Sequence, residues 1–346
     1  MRQPAFSILV VDDTPEMIDS LGEILKDYHV RAAVNGERAL NIAAGSNPPD
    51  LILLDIVMPG MDGYEICRRL KADEKTRYIP VIFVSSLSEE GDEAKGLELG
   101  ALDYIRKPFK PSLVKARVRN HLELKYHQDR LECLVKERTR EIVMRLVLAT
   151  ESRDLVTGMH VRRIREYTHL MVMRSGFPEE EAELIGMAST MHDIGKIGIP
   201  DEILRKESHL DEGEWTIMKT HPRLGERNLR GSTSRLLEMA RLIALTHHER
   251  WDGSGYPMGL RGTEIPFAGR VVHIVDVFDA LISRRPYKPP LPLGEAFEAI
   301  RRGRGTHFDP QLTDLFFDCR REVETVYRKY PDDHCVDGES LQGDPT

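Results

Sequence analysis

A chain of 346 residues is longer than one ordinary core fills, so two domains are expected. It is 40% hydrophobic and 31% charged, the balance of a soluble globular protein, and a formal net charge of -8 gives no electrostatic reason to expect nucleic acid as partner. The four cysteines (Cys67, Cys133, Cys319, Cys335) are scattered with no CxxC pair, which argues against a zinc knuckle or disulfide framework, and neither a signal-like leader nor an apolar run near the ~20 residues of a spanning helix is present, so the expectation is a cytoplasmic protein with no membrane contact.

Residues Ser7 to Val11 are short, apolar and β-branched, as expected of a buried parallel strand, and they lead into Asp12-Asp13. A helical pattern follows, with Met17, Leu21, Ile24 and Leu25 on one face. Further strand-like runs are Leu51 to Leu54, ending in Asp55; Val81 to Val84, ending in Ser85; and Asp103 to Ile105, leading to Lys107-Pro108. Strands alternating with helices predict an open parallel α/β sheet, and functional residues of such sheets gather beyond the carboxyl ends of the strands. Asp12, Asp13, Asp55, Ser85 and Lys107 all fall there. Three carboxylates make a hard oxygen site suited to Mg²⁺, which offsets the charge of a phosphoryl group arriving at Asp55. Lys107 supplies a compact cation and Ser85 a hydroxyl for the same group. A single strand-end Asp is more often a helix N-cap, but that role does not account for the whole cluster.

Residues 5–120 resemble the receiver domain of two-component response regulators, a doubly wound, flavodoxin-like α/β fold. The resemblance rests on Val10-Val11-Asp12-Asp13, on Leu54-Asp55-Ile56-Val57-Met58-Pro59-Gly60-Met61-Asp62-Gly63 and on Lys107-Pro108-Phe109. It implies Asp55 as phosphoacceptor, Asp12, Asp13 and Asp55 as Mg²⁺ ligands, Ser85 and Tyr104 as the switch pair beside Lys107, and a sensor histidine kinase as partner.

From about Ser112 to Arg153 the chain holds no Pro or Gly and is densely charged. Leu124, Leu131, Val135, Ile142 and Ala149 approach a heptad seam, interrupted by Gln128, Arg138 and Arg145, so a long helix is expected, with a parallel coiled coil joining two protomers as the sharper reading and one exposed helix as the plainer one.

Beyond residue 146 the apolar spacing is helical throughout. His160, His192-Asp193, His221, His247-His248 and Asp276 stand out, whereas His169, His209 and His273 read as ordinary surface or core residues. His192-Asp193 is followed by Lys196 between Gly195 and Gly198, which should end a helix there. His247-His248 runs into the glycine-rich Glu249-Arg250-Trp251-Asp252-Gly253-Ser254-Gly255-Tyr256-Pro257, and Asp276 lies on the apolar helix Val271 to Leu281, where a carboxylate is costly unless paired or metal-bound. Five imidazoles and two carboxylates exceed what one metal takes from protein, so two metals are the natural count; nitrogen and carboxylate donors suit Fe, Mn, Zn or Ni, with Fe preferred, more than Mg or Ca. Two close metals activate a shared water and clamp attacking and leaving oxygens in a phosphoryl displacement.

Residues 150–310 resemble the HD-GYP family, a branch of the HD phosphohydrolases with an all-α fold. The match runs through Arg153-Asp154, Thr157-Gly158-Met159-His160, His192-Asp193-Ile194-Gly195-Lys196, His221-Pro222, His247-His248-Glu249-Arg250, Gly255-Tyr256-Pro257, Asp276-Val277-Phe278-Asp279-Ala280-Leu281, Arg285-Pro286-Tyr287-Lys288 and Thr306-His307-Phe308-Asp309-Pro310. The resemblance implies hydrolysis of cyclic di-GMP at a two- or three-metal centre with His160, His192, Asp193, His221, His247, His248 and Asp276 as ligands, Asp193 bridging. It implies Asp193 and Lys196 as the catalytic pair, and Arg285, Lys288, Tyr287, Asp279 and Gly255 as substrate contacts. Some members place a Glu four residues before the first motif His to hold a third metal; Val156 stands there in this chain, so a binuclear centre releasing mainly the linear dinucleotide pGpG is expected. Rival readings are a hydrolase of another cyclic dinucleotide and an adaptor working through protein contacts of the Gly-Tyr-Pro loop; a DNA-binding regulator is excluded because no basic recognition module follows the receiver.

The expected organisation is therefore a receiver at 1–120, a linker helix at 121–147, the HD-GYP domain at 148–325 and an acidic tail at 326–346, with a homodimer as the assembled form.

Overall fold

The structure, a computed structural model, describes residues 6–86, 95–151, 158–283 and 289–332. The chain divides into two units between Glu137 and Arg138.

The first unit is a five-stranded parallel sheet in the order β2-β1-β3-β4-β5, where β1 is Ser7–Val11, β2 His29–Ala33, β3 Leu51–Asp55, β4 Val81–Ser85 and β5 Asp103–Arg106. β1, β3 and β4 are buried along their whole length, which is why they read as unbroken apolar runs. Leu9, Val11, Ile52, Leu54 and Phe83 join one core layer, while Ile8, Val10, Leu51, Leu53 and Ile82 join the other, so alternate side chains fill both faces. Helix α1, Pro15–Ile24, brings Met17, Leu21, Ile24 and, just past its end, Leu25 to the second layer. α2, Gly36–Ala43, and α3, Gly63–Ala72, cover the first, opened by the side-chain caps of Asn35 and Asp62. Val11 pairs with Leu54 and Asp55 with Val84, so the carboxyl ends of β1, β3 and β4 lie side by side.

Helix α4 runs from Pro111 to Glu151, 41 residues without a Gly and with its one Pro at the first position. Its Val114, Val118 and Leu122 belong to the core of the first unit, and Val143, Met144 and Val147 to the core of the second. Between them Leu124, Leu131, Val135 and Ile142 are each more than half exposed.

The second unit is helical: α5 Gly158–Arg174, α6 Glu179–Ser189, α7 Asp201–Leu204, α8 Glu212–Met218, α9 His221–Leu229, α10 Arg235–Thr246, α11 Phe267–Ile282, α12 Leu293–Arg302, α13 Pro310–Asp318 and α14 Arg320–Lys329. α11 is apolar nearly all round because it is packed on every side. One flank (Val271, Ile274, Val275, Phe278) meets Ile164, Tyr167 and Met171 of α5, Phe297 of α12 and Phe316 of α13. The other (Ala268, Val272) meets Ile185 and Ala188 of α6 and Ala240 and Ile243 of α10. The expected domain end at residue 325 falls inside α14, which continues to Lys329 because Val323, Val326 and Tyr327 pack into the α5–α11 core.

Candidate metal centre

The His192-Asp193 pair is not on a helix. α6 stops at Ser189, the chain turns through Thr190–Asp193, and a short 3-10 helix, Ile194–Gly198, follows. Gly195 is required where it stands: a Cβ on it would lie 1.9 Å from the His221 carbonyl oxygen and 2.4 Å from the Gly225 nitrogen. Its absence lets the 3-10 helix rest on α9 and brings His221, the first residue of α9, against Asp193. Gly269 does the same for α11 on α10, where a Cβ would meet Thr246 Oγ1 at 2.2 Å. His247 and His248 follow Thr246 at the end of α10, and Asp276 projects from α11.

The imidazoles are oriented by their own backbone. His192 Nδ1 lies 2.9 Å from the Ser189 carbonyl, His221 Nδ1 2.8 Å from that of Met218, and His247 Nδ1 3.0 Å from that of Ala244. A carbonyl only accepts, so each Nδ1 carries a proton and Nε2 is the nitrogen left facing the site. His160 Nδ1 meets the carboxylate of Asp279 at 2.8 Å with the same result. The donors then converge as two groups, Asp193 with His221, His247 and His248, and His160 with His192 and Asp276; within each the donor atoms lie within 4.8 Å of one another.

Asp193 joins the two groups. Its Oδ1 is 3.1 Å from His221 Nε2 and 3.6 Å from His247 Nε2; its Oδ2 is 3.3 Å from His192 Nε2 and 2.7 Å from Lys196 Nζ. Asp276 Oδ1 lies 3.6 Å from Nε2 of both His160 and His192. Burial would raise the Asp193 carboxyl, but Lys196 and His192 hold it well below the usual carboxylate range. Burial would lower His192, yet the Asp193 carboxylate pushes it up to about 9. Burial, then the neighbouring His247 and His221, holds His248 far down. His192 Nε2 and Asp193 Oδ1 are buried without a hydrogen-bond partner, the mark of a place built for a cation rather than for internal bonding. The residues therefore fit two ions, and a donor set of imidazole and carboxylate suits Fe, Mn, Zn or Ni.

A second acidic cluster closes the carboxyl end of the sheet: Asp12, Asp13 and Asp55 also bring oxygens within 4.8 Å of one another. Lys107 Nζ sits 2.7 Å from Asp12 Oδ2 and 3.2 Å from Asp55 Oδ2. Burial, against the pull of Lys107, raises the Asp55 carboxyl. Gly63 opens α3 directly over Asp55, where a Cβ would come 2.2 Å from the Asp55 carbonyl oxygen. Ser85, at the carboxyl end of β4, is fully buried, and Tyr104, opposite Phe83 on β5, is nearly so.

Comparison with known proteins agrees on both halves. The response regulator receiver domain family matches residues 8–119, and the HD domain family matches residues 141–312. A probable cyclic di-GMP phosphodiesterase of Vibrio cholerae serotype O1 is 39% identical, covering 94% of this chain and 80% of that protein. A cyclic di-GMP phosphodiesterase of Thermotoga maritima is 36% identical over 94% of each. The chain belongs to the receiver–HD response regulators. A 3'3'-cGAMP-specific phosphodiesterase 2 of Vibrio cholerae serotype O1 is 42% identical over 57% of this chain and 38% of that protein. A receiver domain implies a kinase partner, and no helix among the described residues is long and apolar enough to cross a membrane.

The sequence reading of this receiver–HD chain meets its geometry unevenly. All seven expected ligands come together. Asp279, expected to touch substrate, is completely buried and bonded to His160 and Arg163, because α11 turns it inward one turn beyond Asp276. Gly255 packs on its own loop, where a Cβ would lie 2.3 Å from the Arg250 nitrogen. Arg285, Tyr287, Lys288 and Val156 lie outside the described residues. Four contributors were missed. His273, taken as ordinary, is buried with Nδ1 2.8 Å from the His247 carbonyl. Glu249 is buried and accepts the Met258 and Leu260 amides at 2.7 and 3.0 Å, holding the Gly-Tyr-Pro loop so that Tyr256 stacks on His248 at 4.7 Å. Glu151 is buried beside the centre, its carboxyl raised by burial against the pull of Lys196. Arg163 is fully buried. A signal existed for Glu249, which sits inside the His247-His248-Glu249-Arg250 motif.

Proposed function

We propose that this response regulator is a metal-dependent phosphodiesterase that hydrolyses cyclic di-GMP, mainly to pGpG, at a binuclear centre, under control of phosphorylation at Asp55. The observation that carries the reading is Asp193, whose two oxygens face two separate donor groups. When bound, two close cations lower the pKa of a water and clamp the oxygens of an in-line displacement. The chain's own part is to hold them and to manage charge. Lys196, 2.7 Å from Asp193, brings an ammonium to the edge of the site, where it stabilises negative charge developing on the phosphoryl oxygens. Tyr256 walls the site beside His248, and Arg285, Tyr287 and Lys288 are the candidate contacts to substrate phosphate. Opening of one phosphodiester releases the ribose 3′ oxygen and leaves the linear dinucleotide. Val156 supports the count of two metals, because a valine cannot ligate a third.

In the receiver, Asp12, Asp13 and Asp55 would hold Mg²⁺, with Asp55 as phosphoacceptor, Lys107 as its cation and Ser85 with Tyr104 as the switch. The exposed Leu124, Leu131, Val135 and Ile142 support pairing of two protomers along α4. A monomer by light scattering at micromolar concentration, with and without an acyl-phosphate mimic, would remove that part.

The identity of the dinucleotide has a second reading, hydrolysis of 3'3'-cGAMP, favoured by the relative of that specificity over the HD half. One experiment tests the whole: anaerobic purification, metal analysis, and product identification with both dinucleotides on the same sample. Two metals of the Fe, Mn, Ni or Zn type per chain, faster turnover of cyclic di-GMP and accumulation of pGpG are expected. Three metals would overturn the binuclear count, and faster turnover of cGAMP the substrate assignment.

A further inference from the structure

Arg163 lies on α5 one turn beyond His160, and it is the largest side chain buried without any exposure. Its guanidinium is fully engaged. Nε and Nη2 donate to the two oxygens of Asp279 at 2.6 and 2.9 Å, and Nη2 also donates to Ser283 Oγ at 2.7 Å. Nη1 donates to the Tyr330 carbonyl and to Asp332 Oδ1, both at 2.8 Å. Asp279 in turn accepts from His160 Nδ1 at 2.8 Å. One continuous run of charge-assisted bonds thus joins residues just past α14, near the end of the chain, to an imidazole of the metal centre.

The direction of the effect follows from charge and shape. A planar guanidinium bonded at both edges holds a carboxylate in one plane, which a freely rotating carboxylate would not keep. That plane sets the His160 ring and keeps the proton on Nδ1, with Nε2 turned toward Asp276. Asp332 supplies the second carboxylate that balances a buried cation otherwise shared between Asp279 and uncharged oxygens.

We propose that Tyr330–Asp332 is a positioning element of the metal centre: by fixing Arg163, and through it Asp279 and His160, it sets the affinity of the His160–His192–Asp276 position for its cation. The inference rests on the two-metal reading above. It makes the segment after α14 part of the working enzyme rather than an inert tail.

The test is calorimetric titration of the full-length, metal-free protein with Mn²⁺. With Mg²⁺ in large excess throughout to keep the receiver's carboxylate site filled, wild type takes up two Mn²⁺ ions per chain. In Asp332→Ala one binding step weakens 10- to 100-fold, the range for loss of a supporting partner, while the other is unchanged. His160→Ala removes that same step, which assigns it, and Asp332→Glu restores most of the lost affinity. A global defect would weaken both steps together. Unchanged affinity at both positions in Asp332→Ala overturns the proposal. If that variant does not fold, Asp332→Asn, which keeps an accepting oxygen but loses the charge, must weaken the same step several-fold; equal weakening of both steps, or none, overturns it. Fewer than two ions on wild type would instead overturn the two-metal reading.

Discussion

At the scale of single residues, the site depends on which nitrogen of each ring carries the proton. Three rings are set by carbonyls one turn back in their own segments, and one by Asp279. Truncating a ligand leaves its partners buried and unpaired, so His192→Ala and Asp193→Ala should each lower turnover by at least about 10³-fold and reduce bound metal, as measured by steady-state assay and metal analysis on the same preparation. If the centre holds two metals as proposed, Asp193→Ala should cost both and His192→Ala mainly one, because the two oxygens of Asp193 face different donor groups. The histidines and aspartates that the fold brings together were legible in the sequence because each sits in a short motif whose chemistry is local. Arg163 was not, because its partner Asp279 is 116 residues away and only the packing of α5 on α11 puts them together.

At the scale of elements, glycines decide how closely the ligand-bearing segments approach, and salt bridges hold them there. Glu226 on α9 accepts from Arg230, just past the end of that helix, and from Arg241 on α10, joining the helix that begins with His221 to the one that His247 follows. The Arg230 bond, against burial and with help from Arg241, holds the Glu226 carboxyl below its ordinary value. A carboxyl lowered in the folded state adds stability above its unfolded pKa of about 4.3, and loses it as pH falls toward the lowered value. Arg230 is largely exposed, so the gain is discounted to ~1 kcal/mol. Glu226→Gln should therefore melt earlier than wild type at pH 7, and the difference should shrink below the unfolded pKa of about 4.3 and vanish once the pH has fallen through the lowered value of the folded state, read by thermal melts across a pH series. The helix end expected at Gly195 and Gly198 comes too late: α6 stops at Ser189 and a 3-10 helix takes Ile194–Gly198, although nothing in Thr190–His192 breaks a helix by itself.

At the scale of the whole molecule, strand–helix alternation and then helical spacing made the two folds legible, because a parallel sheet buried on both faces leaves unbroken apolar runs. The division at Glu137 lies within an unbroken helical pattern, where composition carries no boundary. If the receiver governs the enzyme through phosphorylation, Asp55→Asn should keep the metal content of the histidine-bearing centre and hydrolyse cyclic di-GMP at the unstimulated rate, with no response to a small-molecule phosphodonor; a wild-type response would refute that control. The carbonyl-anchored imidazoles have one more consequence. Their aim is stored in the backbone of the folded chain, so the cavity keeps its shape when the ions leave. Removing the ions with a chelator should abolish turnover while leaving the helical circular dichroism intact, and activity should return within the mixing time of added Fe²⁺ or Mn²⁺ without a refolding phase. Such a protein is reloadable, and which cation it carries follows from the supply around it rather than from the history of its folding.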